Sequence, residues 1–278
     1  MSTSLLQGSL GRKEGKAYLR SLDFNLCTTS LSIEVAKTLR QYNPPYMSPD
    51  PCAQSVTKGE GPETSLTTTA SMNILVFVVM QGVPCIRKQG ELRIRVTLAH
   101  LESQLDEDIP RFRELGVTAN FTPHWHGGND YGTAEQNARL LGPRRAERLF
   151  RANSMMDSGA NVTFSSDEVT LQLLDRWNPF LGIEVGHTRQ EVTRGGRIAA
   201  VFPPLSERLP IEDLIQGYTI NGARALRLDD QIGSIEAGKS ADFMVLDEDL
   251  FAMDPYEIHN IVSKAVVMRG ACIKGNLS

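Results

Sequence analysis

The sequence predicts an α/β protein on the plan of a β/α barrel, and three stretches carry that expectation. They are Arg95-Val-Thr-Leu-Ala-His100, Thr118-Ala-Asn-Phe-Thr-Pro-His124-Trp-His126 and Asn161-Val-Thr-Phe-Ser-Ser-Asp167. Each is a β-rich run that stops at a side chain able to bind a divalent cation or move a proton. Helical-looking sequence separates them. In a parallel barrel the reactive groups sit at the carboxyl ends of the strands, with a helix after each strand. Three of the five histidines fall at these ends, so the pattern is concentrated.

Taken in order, the elements begin with a region that does not read as barrel. A short helix over 34–41 is followed by Asn43-Pro-Pro-Tyr-Met-Ser-Pro-Asp-Pro-Cys52, whose prolines force extended or irregular backbone. The Ser/Thr/Gly-rich stretch 55–71 has too few apolar groups to offset its ordering entropy. Within 1–90, only 74–80 reads as a buried strand. From residue 91 strands and helices alternate. A strand is expected over 93–98. A helix follows over 106–115, with acidic residues in its first turn and Gly116 as its stop. Further strands are expected over 117–121 and 162–165, a loop over 127–132, and helices over 143–157 and 211–226. From residue 229 the character is β again. A strand over 241–247 precedes a hairpin of 261–268 and 271–274 turning at Arg269-Gly270. The expected divisions are therefore 1–90, irregular; 91–228, the second half of a barrel; and 229–278, a small β unit.

Composition narrows the function classes. The 278 residues carry a net charge of −4 and a pI near 5.8, which argues against a nucleic-acid partner. Four scattered cysteines with no Cys-x-x-Cys pair fit free thiols in a reducing compartment. No basic-then-apolar leader is visible, and the longest apolar run is far shorter than the ~20 residues a membrane span needs. The expectation is a soluble, cytoplasmic protein with a small-molecule substrate.

Two motifs carry a resemblance. Thr219-Ile-Asn-Gly-Ala-Arg-Ala-Leu226 followed by Ile232-Gly-Ser-Ile-Glu-Ala-Gly-Lys-Ser-Ala-Asp-Phe-Met-Val-Leu-Asp247 resembles the closing signature of the amidohydrolase superfamily. The segment from Asp108-Ile-Pro-Arg-Phe-Arg-Glu-Leu-Gly116 to His124 resembles its family-3 branch, which includes N-substituted formamide deformylases. The resemblance covers about residues 91–278. It implies a metal-dependent (β/α)8 TIM-type barrel with a small β-sandwich built from both chain ends, hydrolysing carbon–nitrogen bonds of amides, formamides and cyclic amides. It makes His100 a metal ligand. It makes Asp167 the catalytic aspartate that contacts the metal-bound water and shuttles its proton. It places His124 in the substrate pocket.

The sequence departs from that family in three respects. The nearest candidate for its middle-strand lysine or acidic ligand, 74–82, offers Phe77 and Gln81 instead. Its further ligand histidine before the His100 strand is absent, and its opening pair is missing. The family opens with a His-x-His pair on its first strand, and here the first histidine is His100. The barrel is therefore expected to be incomplete or atypical.

The chemistry implied is attack by a water that a divalent cation, expected to be zinc, has activated. His100 and Asp167 are two ligands, and catalytic zinc usually takes three from the protein; His124 or His126 would complete the set. His124, Trp125 and His126 are the substrate-binding candidates. Glu102 or a backbone carbonyl is the expected partner fixing the His100 tautomer. His187 and His259 read as structural, Asp242 and Asp247 as turn residues, and 106–108 as a solvated helix start. The competing expectation is a truncated or degenerate barrel without turnover, a binding or oligomerising protein that associates through a strand edge left open.

Overall fold

The computed structural model describes residues 66–69, 95–128, 132–167, 176–193, 196–197 and 200–276, with backbone alone at 66–69, 193 and 196–197. The expected helix at 34–41, the proline-rich stretch and the strand at 74–80 lie outside the described residues.

Four parallel strands form the main sheet, in the order β1 (Leu66–Thr69), β2 (Val96–Ala99), β3 (Thr118–Phe121) and β4 (Val162–Phe164). Spatial order follows chain order, as right-handed crossover units produce. Register pairs Leu98 with Ala119 and Phe121 with Phe164, so all strands run out on one side. β1 departs from expectation, because it falls inside the polar stretch. Threonine is β-branched and suits a pleat, and pairing with β2 from Leu66↔Val96 to Thr69↔Ala99 supplies the order that composition alone lacks.

Helix α1 (Ile109–Glu114) joins β2 to β3 and buries Ile109 and Phe112. Burying two such side chains is worth about 1.5–3 kcal/mol each. It is shorter than the expected 106–115 and carries no acidic residue in its first turn. Asp106 instead meets Arg148 at 2.7 Å and also pairs with Arg151, so it is not merely a solvated helix start. Gly116 closes the helix at φ +54°. After β3 come a 3-10 turn (Pro123–Gly127), α2 (Ala134–Leu141), α3 (Pro143–Ala146) and α4 (Ala152–Asp157). Helix α2 is entered by a capping box in which Gln136 N donates to Thr133 Oγ1 at 3.2 Å and Thr133 N to Gln136 Oε1 at 2.8 Å. The single helix expected over 143–157 is broken at Phe150, φ +56°. Tertiary bonds hold the break: Phe150 N donates to Glu102 O at 2.6 Å, and the buried Arg189 donates to the carbonyls of Leu149 and Phe150.

Beyond β4, α5 (Pro179–Thr188) is capped by Asn178, whose Oδ1 accepts from Phe180 N at 3.1 Å. A short hairpin, β5 (Val192–Thr193) and β6 (Gly196–Arg197), follows. The helix expected over 211–226 is two, α6 (Ile211–Tyr218) and α7 (Ile220–Leu226), broken at Thr219. On the outer edge of β4, Val162 O accepts from Asn221 Nδ2 at 3.0 Å, so a side chain covers part of the edge expected to be open. The main core gathers Leu98, Phe112, Phe121, Met155, Val162 and Leu214.

The last unit is an antiparallel sheet of β7 (Phe243–Leu246), β8 (Ser263–Met268) and β9 (Ala271–Gly275). Arg269 and Gly270 both have positive φ, the geometry of a two-residue hairpin turn. Asp242 accepts from Arg269 N at 2.6 Å and Asp247 from Val262 N at 2.9 Å, so both are turn residues as read. Among the described residues no helix is long and apolar enough to cross a membrane. Cys272 is free and exposed.

Candidate active site at the strand ends

The side chains that end β2 and β4 meet. His100 follows β2, Asp167 lies three residues past β4, and His100 Nε2 is 3.4 Å from Asp167 Oδ1. Both leave the sheet in the left-handed region, at φ +56° and +48°. That conformation costs a non-glycine residue about 1–3 kcal/mol and is concentrated at functional sites. Both side chains are partly open to solvent, at 17% and 18%, so the pair is reachable from outside.

A third strand end orients the imidazole. Thr122, just past β3, holds His100 Nδ1 at 3.1 Å through Oγ1. The expected partners, Glu102 or a carbonyl, are replaced by this hydroxyl. Occupying Nδ1 leaves Nε2 directed at the carboxylate. Burial pushes the His100 pKa below its usual value, and the neighbouring Asp167 charge pulls the other way. A neutral imidazole nitrogen and a carboxylate oxygen face one another, an arrangement that a shared cation or proton satisfies.

The three substrate-binding candidates lie in the 3-10 turn rather than on extended strand, so His124 and His126 do not share a strand face. Pro123 starts the turn and Gly128 ends it at φ +88°, with Phe202 against the glycine. Trp125 reaches the pair, its ring 5.3 Å from that of His100. His124 is buried near Gly182 of α5. His126 is wholly buried, stacked on Phe150 at 5.3 Å and edge-on to Phe121 at 6.0 Å. Burial drives its pKa well down, helped by Arg189 and His124. His187 holds Leu209 O at 2.7 Å, and His259 holds the buried Glu184, so both are structural as read. A polar cavity of about 300 Å³ is walled by Asp106, Arg148, Arg151 and Glu207, and neither His100 nor Asp167 lines it.

Nitrogen and oxygen donors suit a divalent cation in kind and direction. They fall short in number, because among the described residues no group of three such side chains converges.

A parallel sheet flanked by helices, with an imidazole and a carboxylate meeting at its strand ends, defines an α/β protein with a candidate site at the carboxyl ends of its strands. The chain belongs to the amidohydrolase family, in its family-3 branch, whose match spans residues 78–273. It is similar to an imidazolonepropionase of Bdellovibrio bacteriovorus, 28% identical over 45% of this chain and 25% of that protein. It is also similar to an N-substituted formamide deformylase of Arthrobacter pascens, 27% identical over 64% of this chain and 30% of that protein. The chain therefore spans between a quarter and a third of the length of these relatives. Among solved structures, a metal-dependent hydrolase from Pyrococcus horikoshii matches 69% of this chain and 35% of its own, with TM-score 0.54 and 21% identity. A metal-dependent hydrolase from Pyrococcus furiosus matches 66% and 34%, with TM-score 0.51 and 22% identity. These two likenesses support the α/β fold.

Proposed function

We propose that the chain hydrolyses a carbon–nitrogen bond, other than a peptide bond, in a small amide-type molecule such as an amide or formamide. The observation that carries this reading is the meeting of His100 Nε2 and Asp167 Oδ1 at 3.4 Å, with Nδ1 already held by Thr122. Asp167 takes the proton of an attacking water as its oxygen closes on the carbonyl carbon, and returns that proton to the leaving nitrogen. Thr122 keeps the His100 ring turned toward the reacting atoms. Trp125 walls the mouth and excludes water from one side of the substrate. His124 and His126 lie buried behind this wall, His126 stacked on Phe150.

His100 and Asp167 would hold a divalent cation, taken here as zinc. Such an ion polarises the carbonyl and brings a water's pKa toward neutrality. The formamide deformylase and the deaminases among its relatives, including a 5-methylthioadenosine/S-adenosylhomocysteine deaminase of Thermoanaerobacter pseudethanolicus, support the carbon–nitrogen assignment. A (β/α)8 closure, and a β-sandwich completed from both chain ends, belong to the same proposal. The shortage of a third donor among the described residues favours one competing reading, a chain that binds or self-associates without turnover.

The test is hydrolysis of a panel of N-substituted formamides, linear amides and cyclic amides by the purified chain. The panel is run as isolated, after chelation, and after zinc is returned. Turnover that disappears with chelator and comes back with zinc is the expected result. No turnover on any member, with zinc present, overturns the catalytic reading in favour of the competing one.

A further inference from the structure

We infer that Asn120 is a positioning residue for Asp167, setting its distance to His100 through the hydroxyls of Thr163 and Ser165. The proton transfer given to Asp167 rests on the hydrolytic reading above. Asn120 lies on β3, and its partner in the register with β4 is Thr163. Successive side chains of a strand point to opposite faces. One face of this pair carries Ala119, Phe121, Val162 and Phe164, all in the main core. Asn120 and Thr163 point the other way, and Ser165, just past β4, joins them. Asn120 Nδ2 donates to Thr163 Oγ1 at 3.1 Å, and Ser165 Oγ donates to Asn120 Oδ1 at 2.9 Å. Asparagine is depleted in strands, so these two bonds, not propensity, account for its place here.

Strand β4 has few other restraints at this end. It is three residues long and last in its sheet, so among the described residues β3 is its only strand neighbour. One backbone bond, from Ser165 N to Phe121 O at 3.0 Å, carries the pairing past its end. Two residues further on, Asp167 turns away at φ +48°. A side chain that grips both Thr163 and Ser165 therefore fixes the stretch from which Asp167 departs. The other partner is held from the same strand. Thr122, two residues along from Asn120, holds His100 Nδ1 at 3.1 Å. Strand β3 thus fixes His100 through Thr122 and the approach to Asp167 through Asn120. The 3.4 Å between the imidazole and the carboxylate is set from this one strand, and a misplacement of reacting groups by about 1 Å can cost about 100-fold in rate.

Three variants of the full chain separate positioning from plain strand pairing. Asn120→Leu removes both bonds, Ser165→Ala removes one, and Ser165→Thr keeps the hydroxyl. Crystal structures of each and of the wild type give the separation of His100 Nε2 and Asp167 Oδ1. Steady-state rates are measured on a formamide or amide that the wild type turns over. In Asn120→Leu and Ser165→Ala the separation should grow by about 1 Å, and kcat should fall about 100-fold with KM little changed. Ser165→Thr should restore both values. An unchanged separation in Asn120→Leu and Ser165→Ala overturns the proposal, as does a rise in KM with kcat intact. Should Asn120→Leu fail to fold, the two Ser165 variants decide. Should the wild type turn nothing over, the hydrolytic reading fails, and the measured separations still decide whether Asn120 places Asp167.

Discussion

His100 and Asp167 are each bent out of their strands with positive φ, and no glycine stands at either place. Non-glycine backbone in that region costs about 1–3 kcal/mol, so the surrounding structure holds both residues there. His126 gives this scale its prediction. Its folded-state pKa lies well below the free value because burial disfavours the imidazolium. The sign follows directly. Below about pH 6.5 the unfolded chain gains protons that the folded chain refuses, so stability falls as pH drops from there toward the folded pKa. The slope is about 1.4 kcal/mol per pH unit for each such group. His100 acts in the same direction. Urea midpoints measured between pH 7.5 and 5 should decline, and His126→Leu should flatten that decline by up to one proton's worth. An unchanged slope would mean the imidazole is not buried as described. Sequence singled out both His100 and Asp167, since each ends an apolar run, and the structure brings the two side chains together. Sequence did not show Thr122 as the partner of His100, because proximity along the chain favoured Glu102 while the hydroxyl arrives from the neighbouring strand.

The elements that sequence revealed are those whose local signal agrees with their place. Strands β2, β3 and β4 are β-branched or apolar runs. The turn of the β8–β9 hairpin carries a glycine at its second position. The elements it concealed are set by neighbours. Helix α5 was not expected from the sequence, and within it Gly182 and Gly186 permit close approach. A Cβ on Gly186 would come within 2.7 Å of Leu214, and one on Gly182 would strike Tyr218. Helix α2 did carry a readable signal, Thr133 and Gln136 at capping-box spacing, which was overlooked. The breaks at Phe150 and Thr219 have no local cause, and at Phe150 the carbonyl bonds from Arg189 fix the turn. Gly217 on α6 tests this argument, because a Cβ there would run into the Phe164 ring on β4. Alanine is worth about 1 kcal/mol over glycine inside a helix. Overpacking a core costs typically 1–3 kcal/mol. We expect Gly217→Ala to be destabilising in a urea melt, and a stabilised variant would show that α6 and β4 are not in contact.

At the scale of the molecule, the strand ends and the C-terminal β unit are mechanically joined. Glu184 of α5 accepts from both His259 N at 2.9 Å and His259 Nδ1 at 2.7 Å, while Asn178 donates to His259 O at 3.1 Å. Helix α5 also packs on the 3-10 turn that carries Trp125. This link was not legible in the sequence, because Glu184 and His259 are 75 residues apart and neither sits in a motif. The parallel sheet was legible, and with it the convergence of β2 and β4 on one side. That convergence brings the His100 imidazole within 3.4 Å of the Asp167 carboxylate, and the proposed hydrolysis treats the two as one unit rather than two independent contributors. Groups that act as a unit lose nearly everything when either is removed, and little more when both are. Turnover of a responsive formamide or amide should be compared for the wild type, His100→Ala, Asp167→Asn and the double variant. The account predicts a loss of at least about 100-fold in each single variant and no further loss in the double. Wild-type turnover in either single variant, or losses that multiply in the double, would contradict it.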